Sequence, residues 1–378
     1  MTTVTHAIAR YTFGELLAGL SNEVDSGNVK RVEGPDGLTL YNYTRRCVTE
    51  KAWNPFNRAA RGLILHELSE RVIALPFEKF FNYGEAGALP NEAFSVYDKL
   101  DGSLGIIYEY EGGWRVATRG AFASEQALWA TEWLKENITP ESLNPDITYL
   151  AEIVYPQNRI VVDYQGLESL VFLSSYNRKT FVEELNAPKS AGFRMAKTEN
   201  HTSIDNLLEL AKSLDANQEG FVVRFASGTR IKIKGDEYCR VHKLISEVTP
   251  LGVWRALAAG DNLAEIRQQI PEEYWRDMDA ITEILTQKLS AFSEELREGL
   301  EEVAQLTDKE LGLYLKSGEG KLSKLQSAFI FAARKQNLLE TVEQPGMTRT
   351  KVFKTFRPTG NKLEGYRPTN VMNRFEEG

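Results

Sequence analysis

The apolar positions of the chain follow two patterns, one up to about residue 245 and another beyond it. In the first part, short runs rich in β-branched and aromatic residues recur, and turn signals such as Glu111-Gly112-Gly113 separate several of them. Strands are predicted over Val96–Leu100, Leu104–Tyr110, Trp114–Thr118, Tyr149–Val154, Arg159–Val162, Leu170–Leu173, Phe221–Phe225 and Arg230–Ile233. Polar and apolar residues alternate poorly within several of these runs, which indicates sheets that are covered on both faces.

Two helices are predicted among these strands. Ser124 is placed to cap a helix over Glu125–Asn137, whose apolar residues share one face. Ser203–Leu214 has similar spacing. The first part of the chain therefore mixes helices with strands.

Beyond about Val248 the strand signals fade, and apolar residues recur at helical spacing from Pro250 to Leu339. The tail from Pro345 contains prolines and glycines and has no clear period. We therefore expect a mixed domain over residues 1–246, a helical domain over 247–342 and an irregular, basic tail over 343–378.

Composition limits the class of protein. The chain has 378 residues, of which 42% are hydrophobic and 26% charged, so it is neither mainly disordered nor fibrous. No apolar run is long enough to cross a bilayer, and the first ten residues do not resemble a secretory signal. Cys47 and Cys239 are the only cysteines. These features favour a protein of the reducing cytoplasm with no membrane partner.

The net charge of −8 is unevenly distributed. Residues 261–310 carry 14 acidic and 5 basic side chains, whereas residues 345–374 carry seven basic side chains against Glu364 alone. A basic tail on an acidic protein indicates a polyanionic partner, and a solvated tail is an equal alternative.

The segment with the most chemical information is Lys99-Leu100-Asp101-Gly102. It places a lysine at the end of an apolar strand, directly before a tight turn. On its own this pattern also fits a surface lysine that precedes a hairpin. Further charged residues interrupt other apolar runs: Arg61, Lys79, Glu152, Glu219, Lys232 and Lys234. One polar cleft explains them better than several isolated charges do.

This set of side chains suits phosphoryl or nucleotidyl transfer through a phosphoramidate on lysine. A lysine is nucleophilic only when it is deprotonated, and burial or neighbouring cations lower its pKa. Lys232, Lys234 and a bound metal are expected to supply those cations for Lys99. Asp101, Glu152 and Glu219 offer the hard oxygen donors that Mg²⁺ prefers.

The same motifs, in this order, resemble those of the covalent nucleotidyltransferases, which include polynucleotide ligases and mRNA capping enzymes. Finer matches resemble the RNA ligase 1 family of T-even bacteriophages, over roughly residues 35–243. These matches are Tyr41-Asn42-Tyr43, Arg61-Gly62, Glu78-Lys79-Phe80-Phe81-Asn82, Ser124–Leu128, Asn158–Val161 and Ile231–Lys234. The resemblance implies an α+β nucleotidyltransferase core, similar to ATP-grasp ligases, with antiparallel sheets and helices, in the host cytoplasm if a phage encodes the protein. The all-helical C-terminal domain is predicted from the helical spacing beyond Val248 and not from the resemblance.

The resemblance further implies ATP-dependent joining of RNA 5′-phosphate and 3′-hydroxyl ends, in RNA repair, with Mg²⁺ or Mn²⁺. Lys99 would carry AMP, and the metal ligands would be Glu152, Glu219 and Asp101. The nucleotide would be bound by Tyr41, Arg61, Lys79, Phe81, Asp101, Gly102, Arg119, Glu152, Glu219, Lys232 and Lys234. Arg119 occupies a position where the family has lysine, so a planar guanidinium replaces a compact ammonium group.

Three alternatives remain open at the level of sequence. A DNA ligase or a capping-type nucleotidyltransferase would use the same core, and an RNA-binding protein would retain the core without catalysis.

The C-terminal third shows no match to the helical domain of the family, so the identity of the RNA substrate cannot be inferred from the family. Gly318-Glu319-Gly320-Lys321 lacks the spacing of a phosphate-binding loop, and no kinase domain is expected. The oligomeric state is not predicted.

Overall fold

The computed structural model describes residues 3–185, 192–317, 321–336 and 354–372. The chain divides into two compact units, one reaching Arg240 and one beginning at Val241. Strands fill the first unit and helices the second, in agreement with the expected α+β class and helical C-terminal part. The finer domain boundaries stay predictions. No helix within the described residues is long and apolar enough to cross a membrane.

The described part of the first unit contains fourteen strands, several of them short. They are β1 (Val29–Glu33), β2 (Leu38–Tyr43), β3 (Arg61–His66), β4 (Arg71–Ala74), β5 (Phe81–Asn82), β6 (Phe94–Asp98), β7 (Ser103–Tyr110), β8 (Gly113–Thr118), β9 (Ile147–Val154), β10 (Ser169–Asn177), β11 (Arg194–Met195), β12 (Thr198–Glu199), β13 (Gly220–Phe225) and β14 (Arg230–Lys234).

These strands form three mainly antiparallel sheets, in the orders β1-β2-β3-β4, β11-β10-β9-β7-β8 and β12-β6-β13-β14-β5. Only the short strands β11 and β5 pair in parallel with their neighbours. Strands β9 and β10 are buried on both faces, as their weak alternation predicts. Two apolar cores, one centred on Leu63 and Ile64 and the other on Ile153 and Phe172, lie against these sheets.

The helices of both units have these bounds: α1 (Phe13–Asp25), α2 (Arg45–Glu50), α3 (Pro55–Ala59), α4 (Glu125–Asn137), α5 (Ile204–Ser213), α6 (Asp236–Ser246), α7 (Pro250–Ala259), α8 (Leu263–Gln268), α9 (Trp275–Glu302), α10 (Asp308–Ser317) and α11 (Lys324–Gln336). Short 3-10 turns lie between several of them. Ser124 caps α4 by accepting the Ala127 N–H, and Ser203 caps α5 by accepting the Asn206 N–H. Both predicted helices are thereby confirmed.

The prediction of a strand over Arg159–Val162 is wrong. This run is irregular, and the backbone N–H groups of Val161 and Val162 donate to the carboxylate of Asp101 instead of to a neighbouring strand. A buried acceptor thus replaces the ladder partner that an apolar run suggests.

In the second unit, the long helix α9 carries a stripe of buried residues that includes Ile281, Leu285, Phe292 and Leu296. Residues 354–372 contain little regular structure, and they pack against this helical core. The predicted tail residues Arg349, Lys351 and Arg374 lie outside the described residues, as do Gly318, Glu319 and Gly320.

Candidate active site

Lys99 follows directly on the last residue of β6, and its side chain is only 17% exposed. Its Nζ donates to Glu219 Oε2 at 2.5 Å, and Lys234 Nζ lies 2.9 Å from Glu219 Oε1. One carboxylate therefore holds two of the predicted lysines. Lys99 does not extend into bulk solvent, which is the condition that the sequence interpretation required.

Glu219 is held in place by the glycine that follows it. Gly220 has φ +130°, and a Cβ at this position would lie 2.1 Å from the Ile233 carbonyl oxygen of β14. The Lys99 N–H donates to the Gly220 carbonyl at 2.8 Å. The Glu-Gly pair therefore brings strands β6, β13 and β14 together at the point where Lys99 leaves the sheet.

Asp101 is buried, and hydrogen bonds occupy both of its carboxylate oxygens. Oδ2 accepts the N–H groups of Val161 and Val162 at 2.8 and 2.9 Å, and Oδ1 accepts the Tyr238 hydroxyl at 2.7 Å. The Asp101 N–H in turn donates to the Tyr164 hydroxyl at 2.7 Å. This network fixes the turn after Lys99 and leaves the carboxylate little capacity to bind a metal.

Glu152 projects from β9, and its carboxylate makes no hydrogen bond or ion pair with another described residue. Burial raises the pKa of Glu152 to about 7, although the positive charge of Lys99 opposes the change. Gly102 lies against this residue, because a Cβ at Gly102 would come within 3.2 Å of Glu152 Cγ and 2.6 Å of the Ile153 carbonyl oxygen. The contact explains why the position after Asp101 needs glycine.

Lys232 is a cation without a carboxylate partner among the described residues. Its Nζ lies 4.8 Å from the centre of the Phe80 ring, and the Arg61 guanidinium lies 5.7 Å from the same ring. Burial, reinforced by Arg61, Lys99 and other cations, places the pKa of Lys232 well below its ordinary value. The Nη1 atom of Arg61 is a buried donor without a hydrogen-bond acceptor. Two cations therefore converge, and neither forms an ion pair with a carboxylate of the described residues, which suits a phosphate site.

Lys79 lies in a cage of three aromatic rings. Its Nζ is 5.9 Å from the ring centre of Tyr43, 5.6 Å from that of Trp53 and 5.4 Å from that of Phe81. Burial lowers the pKa of Lys79, and Arg61 lowers it further. Phe81 thus contacts Lys79 and Trp53, whereas Phe80 lies between Arg61 and Lys232. The sequence interpretation did not identify Trp53 or Phe80 as site residues.

Tyr43, and not Tyr41, belongs to the site. Arg119 Nη1 donates to the Tyr43 hydroxyl at 3.2 Å. Burial raises the pKa of Tyr43, but nearby cations, Arg61 first, outweigh burial and leave that pKa lowered. The hydroxyl of Tyr41 instead donates to Glu67, which also binds Arg31. Both tyrosines lie in β2, whose pairing with β3 is interrupted between Tyr41 and Asn42 because Gly62 of β3 has no partner there.

The expectation that cations keep Lys99 deprotonated is wrong for this structure. Burial lowers the pKa of Lys99, but Glu219 and then Glu152 outweigh burial and leave the pKa above its ordinary value. The group hydrogen-bonded to Lys99 Nζ is the Glu219 carboxylate, and its negative charge favours the protonated amine. Lys99 is therefore an ammonium group that must lose a proton before it can act as a nucleophile.

The three carboxylates expected to bind metal do not gather around one point. No group of three or more His, Cys, Asp or Glu residues within the described ranges is arranged to hold a metal ion. Asp101 does not fit, because both of its carboxylate oxygens are engaged. Glu152 fits better, because its carboxylate makes no hydrogen bond or ion pair with another described residue, whereas Lys99 and Lys234 occupy both carboxylate oxygens of Glu219.

Comparison with known proteins adds a family match to this geometry. A family model described as RNA ligase matches residues 59–238, slightly less than half of the chain. The matched range includes all of the predicted site residues except Tyr41, which the structure also separates from the site. The resemblance to the RNA ligase 1 family of T-even phages is confirmed for this part of the chain.

Curated relatives carry similar names. A protein of Autographa californica nuclear polyhedrosis virus, named a candidate bifunctional polynucleotide kinase/RNA ligase, is 30% identical over 59% of this chain and 38% of its own length. A candidate RNA ligase of Thermovibrio ammonificans is 29% identical over 50% of this chain and 54% of its own. The chain thus spans about half, or less, of these relatives. A solved archaeal ATP-dependent RNA ligase has a TM-score of 0.45 at 15% identity, with 64% of each chain covered.

Proposed function

We propose that the protein joins RNA strands at the expense of ATP, through a lysyl-AMP intermediate on Lys99. The observation that carries the proposal is the placement of one buried lysine beside Glu219 and near the cations Lys232 and Arg61, neither of which forms an ion pair with a described carboxylate. A buried amine next to a cationic phosphate-binding site suits covalent capture of a nucleotide α-phosphate. The match of residues 59–238 to the RNA ligase family model supports the same reaction.

In the first step, Lys99 Nζ forms a bond to the α-phosphorus of ATP, and the bond to the bridging oxygen of pyrophosphate breaks. One Nζ proton passes to Glu219 Oε2, its hydrogen-bond acceptor, before the attack. A second Nζ proton leaves with the pyrophosphate as the phosphoramidate N–H forms. Lys232 and Arg61 stabilise the charge that develops on the α-phosphate, and Lys79 binds the departing pyrophosphate. Tyr43 and Arg119 hold the cation cluster in position.

In the second step, the 5′-phosphate of an RNA strand displaces Lys99 from the AMP phosphorus, which leaves an RNA 5′ end capped by AMP. In the third step, a 3′-hydroxyl attacks the 5′-phosphate of that strand, a phosphodiester bond forms, and AMP leaves with the electron pair. Glu152 is the residue that would hold Mg²⁺ or Mn²⁺, which would offset phosphate charge. We place this activity in the cytoplasm, where the free Cys47 and Cys239 stay reduced.

The test is incubation of the purified protein with Mg²⁺ and ATP or GTP labelled on the α-phosphate, followed by denaturing electrophoresis. We expect label from ATP to be retained and then transferred to a 5′-phosphorylated oligoribonucleotide. Retention of GMP instead would indicate a capping-type enzyme. Joining of DNA ends in preference to RNA ends would indicate a DNA ligase, and absence of any label would contradict covalent catalysis.

A further inference from the structure

Residues 354–372, called here the basic strap, form part of the helical unit instead of a free tail. Phe356, Leu363 and Tyr366 pack into the core around α9, and the ring centres of Phe356 and Phe292 lie 5.6 Å apart. Met372 near the end of the strap is also buried. The apolar side chains of the strap therefore face inward, and its backbone follows the surface of the unit.

A single buried carboxylate fastens the strap to α9. Asp277 is 1% exposed, and it accepts the Tyr366 hydroxyl at 2.7 Å and the backbone N–H of Thr369 at 2.9 Å. Its second oxygen accepts the Thr369 hydroxyl at 2.5 Å. Hydrogen bonds to a charged acceptor are about twice as strong as neutral ones, so this anchor holds the strap in one position.

The outward side of the strap is basic. Lys354, Arg357, Lys362 and Arg367 are exposed, and none of them forms an ion pair with a described residue. Glu364 is the only acidic residue of the strap. Helix α9, against which the strap packs, lies in an acidic stretch, with 14 acidic against 5 basic side chains over residues 261–310. The four strap cations form no ion pair within the described residues, which leaves them available to an external anion.

We propose that the basic strap binds the phosphate backbone of a single-stranded RNA substrate. The inference rests on the proposed RNA-joining function and names the surface that holds the strand. Arg357 lies 5.7 Å from the ring centre of Trp254, so its guanidinium is supported by an aromatic ring while its polar edge stays exposed. The acidic stretch over residues 261–310 repels polyanions, which favours contact at the strap. A membrane surface is disfavoured because the apolar residues of the strap face the core.

The test is a variant in which all four strap cations are neutralised: Lys354→Gln, Arg357→Gln, Lys362→Gln and Arg367→Gln. Binding of a fluorescent, 5′-phosphorylated, single-stranded oligoribonucleotide is measured by anisotropy, without ATP, over a series of salt concentrations. Each phosphate contact to a single strand contributes roughly 0.7 to the slope of log affinity against log salt, so the slope should fall by up to about 2.8. Affinity at low salt should fall roughly tenfold or more.

The matched control neutralises four exposed lysines elsewhere in the helical unit that also lack ion pairs: Lys243, Lys309, Lys316 and Lys324. It changes net charge equally, and we expect it to retain most of the affinity and slope. Equal losses in both variants, or an unchanged affinity in the strap variant, would overturn the proposal. The proposal would also be overturned if the strap variant lost binding to anionic phospholipid vesicles and kept its RNA affinity, because that result would assign the strap to a lipid surface.

A second measurement on the same preparations separates this proposal from the proposed function. It is self-adenylylation with labelled ATP, which does not require RNA. If the wild-type protein forms no lysyl-AMP but binds RNA through the strap, the ligase reaction is refuted and the proposal that the strap binds RNA stands. If adenylylation is normal and RNA binding does not depend on the strap cations, only the proposal about the strap is refuted.

Discussion

Replacing Glu152 by glutamine tests the electrostatics of the site through protein stability. In the folded chain this carboxylate is largely removed from water and makes no hydrogen bond, so ionisation weakens the folded state. Glutamine preserves the shape of the side chain but cannot ionise. We expect Glu152→Gln to stabilise the protein in the absence of nucleotide and metal, and to impair catalysis.

The magnitude follows from the pKa of Glu152, which is raised from 4.5 to about 7. At about 1.36 kcal/mol for each pKa unit, full ionisation costs the folded state about 3.4 kcal/mol. Glu152 remains partly exposed, so solvent screening reduces the figure to about 1.5–3 kcal/mol. The cost is absent below the ordinary value of 4.5, grows as the pH rises through the folded value of about 7, and is complete above it.

The assay is thermal unfolding at pH 5 and pH 8 in the presence of a chelator. A gain of 1 kcal/mol raises Tm by about 2–4 °C in a unit of this size, so we expect a rise of about 3–12 °C at pH 8 and much less at pH 5. Glu168→Gln, at an exposed position outside the site, serves as the control for loss of one charge. A Tm shift that is equal at both pH values, or a destabilised Glu152→Gln protein, would refute the reasoning.

Three further predictions concern the geometry around Lys99. Because Tyr43 contacts Arg119 and Tyr41 does not, Tyr43→Phe should raise the KM for ATP in self-adenylylation while Tyr41→Phe should not; the reverse order would contradict the placement. Asp101→Ala leaves two backbone donors and a hydroxyl unpaired, so unfolding in urea should show a loss of about 2–4 kcal/mol, and a neutral result would argue against the network. Gly220→Ala forces a Cβ toward the Ile233 carbonyl oxygen at a positive φ, so we expect circular dichroism to show poorly folded protein. Gly112→Ala is the control, because Gly112 also has a positive φ but no atom lies within 4 Å of the added Cβ, and we expect it to fold well.

Much of the site was predictable because each charged residue interrupts an apolar run. Lys99, Glu219, Lys232 and Lys234 lie together as the pattern indicates, since burying a charge in a strand requires a partner or a ligand nearby. The helix over Glu125–Asn137 was equally predictable, because Ser124 provides a cap and the apolar spacing is helical.

Other features depend on contacts that the sequence does not display. Alternation along β2 does not tell whether Tyr41 or Tyr43 reaches Arg119, because the two residues are only two positions apart. Trp53 joins the cage around Lys79 from a segment without regular pattern, and aromatic residues in such segments give no periodic signal. The protonation of Lys99 depends on its closeness to Glu219 and Glu152, which composition and spacing cannot reveal.

The most direct test of the account is the identity of the lysine that carries AMP. Lys232 is the competing candidate, because its pKa is well below the ordinary value whereas the pKa of Lys99 is raised. The protein is incubated with ATP and Mg²⁺, digested, and analysed by tandem mass spectrometry under conditions that preserve phosphoramidates. The account predicts AMP on Lys99 and none on a Lys99→Ala variant, and AMP on Lys232 would contradict it.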